Sequence, residues 1–122
     1  MSDSITLISV ALDCPDVGML ATFYAKITGG TVTYDDGKWA TVDGPGGRID
    51  FQHASGYVPP TWPDPAVPLQ AHLDFMVDDP DAAEARVLAA GAIKLEFVPN
   101  DHFRVYADPA GHPFCLCTTD LT

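Results

Sequence analysis

The chain has 122 residues, 47% hydrophobic and 19% charged, enough for one domain with a sizeable core. Six basic against seventeen acidic residues give a net charge of −11, which leaves no basic patch for a phosphate backbone and excludes nucleic acid as the expected partner. No apolar run can span a bilayer, the acidic start MSDSITLISV lacks the charge pattern of a secretory signal, and three cysteines suit reduced thiols in a cytoplasmic protein.

Residues 5–13, ITLISVALD, form a β-branched apolar run that predicts a buried strand. Asp16 is placed to cap a helix over VGMLATFYAKIT, with Met19, Leu20, Phe23, Tyr24 and Ile27 at helical spacing and Gly29-Gly30 as its stop. TVTYDD and KWATVD read as strands joined by a hairpin at Asp35-Asp36-Gly37, and RIDFQHA as a fourth strand. Residues 54–69 hold five prolines and suit neither helix nor central strand. They read as an ordered linker anchored by Tyr57 and Trp62.

The second half opens with the strand QAHLDFMV. Asp79 then caps a helix over PDAAEARVLAA, whose first residue, Pro80, sits where proline is favoured; Ala83, Val87 and Leu88 form its expected buried face, and Gly91 its end. AIKLEFVP, HFRVYAD and PFCLCTT follow as strands, the last two joined through Asp108-Pro109-Ala110-Gly111. Each half thus runs strand, helix, three strands. SVALDCPD at Ser9–Asp16 is echoed by HLDFMVDD at His72–Asp79, 63 residues later. The expected fold is α+β: two tandem βαβββ modules, about 5–53 and 70–118, with pseudo-two-fold symmetry, forming one domain around a cup-shaped mixed sheet.

A few side chains could carry chemistry. His72, set in an apolar strand, suits a hydrogen-bonded pocket histidine, a metal ligand or a base. Asp50, between Ile49 and Phe51, is either an edge carboxylate or an inward one that needs a partner. Cys115 and Cys117 read as small buried hydrophobes, with no basic neighbour to make a nucleophile. Arg104 alternates with His102 and Tyr106 on one strand face, either holding an anionic ligand group or forming a surface ion pair. Gln52, Trp39 and Trp62 are further candidates to line a pocket.

The segments VALDCPD, FYAKITGG, GYVPPTWPDP, HLDFMVDDPDAAEARVLAAGA and FRVYADPAGHPFCL together resemble the vicinal oxygen chelate superfamily, the glyoxalase, bleomycin-resistance and dioxygenase fold, and within it a small actinobacterial-type glyoxalase-like subgroup. The resemblance implies metal-ligand slots in the first and last strand of each module. These fall on Ser9 and His72, and on Asp50 and Cys115. Of these, His72, Asp50 and Cys115 can hold a divalent ion. It further implies a homodimer with a small-molecule pocket. The activity would be metal-dependent lyase, isomerase or dioxygenase chemistry on a small carbonyl or aromatic metabolite. The alternative is a metal-free binder of antibiotics or other small molecules, of the bleomycin-resistance type.

Overall fold

Aspartate starts both helices and glycine ends them. Asp16 accepts a hydrogen bond from the Met19 amide at 3.0 Å, opening α1 (Val17–Thr28), and Gly29 closes it at φ 76°. Asp79 accepts from the amides of Asp81 and Ala82, opening α2 (Pro80–Ala90), and Gly91 closes it at φ 119°. The computed structural model describes residues 3–95 and 103–118 and divides the chain into two units, Met1–Ser55 and Gly56–Thr122.

The first unit is a four-stranded mixed sheet in the order β1-β4-β3-β2, from β1 (Val10–Cys14), β2 (Thr31–Asp35), β3 (Trp39–Gly44) and β4 (Gly47–His53). β1 runs parallel to β4, and the other pairs are antiparallel. α1 covers one face. Leu20, Ala21, Phe23 and Tyr24 are buried there, and Tyr24 stacks on Phe51 with centroids 5.6 Å apart. Each such aromatic or leucine stabilises the unit by roughly 1.5–3 kcal/mol.

The second unit repeats the topology as β5-β8-β7-β6, from β5 (Leu73–Met76), β6 (Ile93–Leu95), β7 (Phe103–Ala107) and β8 (Pro113–Cys117), with β5 parallel to β8. Side-chain alternation gives this sheet two distinct faces. Tyr106 and Phe114 stack at 5.6 Å on the α2 side, with Phe75 edge-on to Phe114 at 6.0 Å. Phe103, Val105, Cys115 and Cys117 take the other face. The fold is α+β and consistent with two tandem βαβββ modules.

Three expectations need correction. The run 5–13 is strand only from Val10, where its parallel ladder with β4 opens opposite Ile49; Ile5 and Leu7 are 99% and 83% exposed. β5 starts at Leu73, not Gln70, since its ladder with β8 opens at Phe114 and the preceding Pro113 has no N–H to extend it. Leu88 is exposed, leaving Val87 as the buried residue of α2. The strand expected over 92–99 is seen as Ile93–Leu95; its remainder, with His102, lies outside the described residues.

From Gly56 the proline-rich segment belongs to the second unit. The Tyr57 ring lies 5.3 Å from His112, and Trp62 packs on Val105, Cys115 and Cys117. No described helix is long and apolar enough to cross a membrane.

Candidate functional site

The parallel β5–β8 register sets Asp74 directly opposite Cys115. His72 precedes Asp74 by two residues, and its Nδ1 lies 3.1 Å from Asp74 Oδ1. The potential ligand atoms of His72, Asp74 and Cys115 all fall within 4.8 Å of one another. His72 and Asp74 are about two-fifths exposed, so both can turn toward an ion, whereas Cys115 is fixed in the sheet. Burial, and then the Asp74 carboxylate, push the Cys115 thiol up to about 12. Unliganded, the sulfur is therefore protonated and not a nucleophile. A cation held by this trio would reverse that balance by displacing the proton. An N, O and S donor set suits zinc or a similar borderline-soft ion, with the exposed side left for water or ligand. Beside this trio the same sheet face is apolar: Trp62, Leu95 and Phe103 pack on Val105, Cys115 and Cys117.

In the first unit the matching strands build a different cluster. Asp50, 2% exposed, accepts hydrogen bonds at 2.5 Å from both Ser9 Oγ and Thr41 Oγ1, and from Arg48 Nε at 3.1 and 3.2 Å. Burial alone would raise its pKa, but the two hydroxyls and the guanidinium outweigh burial and hold it below the usual carboxylate range. Trp39 lies directly across from Gln52, on the same sheet face as Asp50 and away from α1.

Sequence reasoning grouped Asp50 with His72 and Cys115. The structure brings His72 and Cys115 together, adds Asp74, and engages Asp50 with Ser9, Thr41 and Arg48 in the other unit. Arg104 and Tyr106 share a face as expected, but it is the face under α2. Arg104 Nη2 donates to Asp81 at 2.9 Å, and Tyr106 Oη to Glu84 at 2.8 Å. Glu84 also pairs with Lys94 at 2.8 Å. Those bonds hold Glu84 below its ordinary range, while burial and then Glu84 raise the Tyr106 phenol. Trp62 lies on the face carrying Cys115.

Asp74, Arg48 and Thr41 were missed. Asp74 was findable, because a residue two positions from His72 along a strand shares its face. Thr41 could not be found without the β3–β4 register.

A paired βαβββ topology with a polar cluster at the same register in each unit defines a class of small α+β proteins. The chain matches the glyoxalase-like domain over residues 9–117 and belongs to that family. No curated protein matches it. Among solved structures, a mutant of the fosfomycin resistance protein FosX from Listeria monocytogenes, complexed with Mn(II) and 1S,2S-dihydroxypropylphosphonic acid, is 18% identical. That match has a TM-score of 0.75 and covers 99% of this chain and 94% of that one. A glyoxalase/bleomycin resistance protein from Albidiferax ferrireducens is 17% identical over 93% of this chain and 98% of its own, with a TM-score of 0.67. A hypothetical protein from S. aureus is 17% identical, covers 95% of each chain and has a TM-score of 0.70. At these identities the likeness is one of fold.

Proposed function

We propose that the protein is a metal-dependent, glyoxalase-like protein that takes up one divalent ion at His72, Asp74 and Cys115 and acts on a small oxygen-bearing metabolite. The observation that carries this reading is the convergence of three different donor atoms within 4.8 Å on one sheet face. Tetrahedral zinc ligands stand about 3.3–3.8 Å apart, so a small rotation of the exposed imidazole and carboxylate closes the set. The ion, when bound, would act as a Lewis acid toward a carbonyl or hydroxyl oxygen of the ligand. Trp62, Phe103 and Leu95 would cover the ligand's apolar part. The Mn(II) of the FosX complex supports a metal in this fold, although a thiol in the set favours a softer ion here. The proposal includes a cytoplasmic homodimer, with exposed Ile5, Leu7 and Ile8 as apolar surface for pairing.

One observation favours a second reading, a metal-free small-molecule binder. Asp50, the carboxylate at the matching register, is already satisfied by three protein groups. Cobalt(II) added to chelator-treated protein separates the two. Metal binding through Cys115 gives a thiolate-to-cobalt charge-transfer absorption, kept in Cys117→Ser and lost in Cys115→Ser. No such absorption in the wild type supports the metal-free binder.

A further inference from the structure

Arg48 stands on the face of the first sheet that α1 leaves open, in line with Asp50 and Gln52 along β4. Its guanidinium carries five N–H donors in a fixed fork. Only Nε is spent, on the two oxygens of Asp50. Neither Nη1 nor Nη2 makes a hydrogen bond to a described residue, and the side chain is 40% exposed. Asp43, directly across in β3, takes the Thr33 hydroxyl at 2.8 Å and leaves the guanidinium alone.

Asp50 is an unusual support for a surface arginine. Buried and bonded to Ser9 and Thr41, it holds the guanidinium at Nε and leaves the two Nη groups for another partner. Arg104 and Lys94, by contrast, are tied to Asp81 and Glu84. Arg48 is itself paired with Asp50, so what it offers an anion is the geometry of its two remaining Nη groups rather than uncompensated charge.

We propose that Arg48 is the anion anchor of a ligand-binding face, gripping the carboxylate of a small organic acid end-on through Nη1 and Nη2. The body of the acid lies along β4 toward Gln52 and Trp39. An end-on fork matches two coplanar carboxylate oxygens, and Trp39 supplies the apolar plane on the same face. The inference rests on reading the protein as a small-molecule binder, and is independent of the metal.

The test uses chelator-treated full-length protein, titrated at constant ionic strength with benzoate and, separately, with inorganic phosphate. Amide and arginine side-chain nitrogen resonances are followed by NMR. Saturable benzoate shifts at Arg48 and the β4 amides are expected. Arg48→Gln should weaken binding at least about tenfold, and Arg104→Gln should leave it unchanged. Arg48→Lys keeps the charge without the fork, so it should bind at least about threefold more weakly, and it decides the matter if Arg48→Gln does not fold. No saturable shift, equal affinity in folded Arg48→Lys, or tighter phosphate than benzoate binding would overturn the assignment. If the cobalt absorption is absent while benzoate still binds through Arg48, the metal reading fails and this one stands.

Discussion

Asp74 lies across from Cys115 in the parallel β5–β8 pair, at the register that sets Ala11 across from Asp50 in β1–β4. The equivalent positions carry different groups throughout: Ser9, Ala11, Thr41 and Asp50 in the first cluster, His72, Asp74, Val105 and Cys115 in the second. In the first unit a lone carboxylate draws in Ser9, Thr41 and Arg48 and is satisfied. In the second, the single carboxylate of Asp74 faces the protonated Cys115 thiol and lies 3.1 Å from His72 Nδ1. That arrangement is stable alone while the thiol keeps its proton, and the proposed divalent ion would displace it.

The proton on Cys115 gives the first prediction. With the thiol pushed up to about 12, it is protonated throughout pH 7.5–9. An ion bound through sulfur must expel that proton, so zinc affinity should rise about tenfold per pH unit across this range. Competition titration with a chromophoric chelator reads the slope. Cys115→Ser should flatten it, and a flat wild-type slope would remove sulfur from the site.

Acid should loosen the first unit through Asp50. Its folded-state pKa is depressed by Ser9, Thr41 and Arg48 against the opposing effect of burial, so unfolded protein binds the proton more readily. Its contribution is fully present above the unfolded value of about 4 and is lost as pH falls through the lower folded value. Urea unfolding should give a cost of about 2–4 kcal/mol for Asp50→Asn and about 1–2 kcal/mol for Thr41→Val near neutrality. The gap between wild type and Asp50→Asn should narrow below about pH 4. A gap unchanged down to pH 3 would contradict the assignment.

The order of elements was legible because its signals are local. Asp16 and Asp79 before apolar periodic runs, and glycine after them, mark both helices whatever the tertiary packing. The echo of SVALDCPD in HLDFMVDD carried the doubled topology. Partnership was not legible, since it depends on register between strands dozens of residues apart. Thr41 meets Asp50 only because β3 pairs with β4 at that offset. Arg104 and Tyr106 were rightly put on one strand face, but alternation does not say which face a helix covers, and α2 brings Asp81 and Glu84 to theirs. Strand ends were overextended at Ile5 and Gln70 because hydrophobicity does not report where the partner strand begins.

Gly111 tests how the proline-rich segment is held. It has φ +94°, and an added Cβ would lie 2.6 Å from Pro59 Cβ. Gly111→Ala should therefore destabilise the protein by about 1–3 kcal/mol, combining left-handed strain with a clash against a rigid ring. Gly46→Ala meets no atom within 4 Å and serves as the comparison, with a small effect in thermal unfolding. Equal melting temperatures for the two variants would show that Pro59 does not pack there.

The most direct test of the metal assignment is elemental mass spectrometry of untagged protein purified without chelator, for wild type, His72→Ala and Asp74→Asn. Near-stoichiometric zinc or another first-row ion in the wild type is predicted, reduced at least about tenfold in occupancy in His72→Ala and lowered in Asp74→Asn. A wild type without metal that also fails to take up added zinc, or metal retained in full by His72→Ala, would contradict the account.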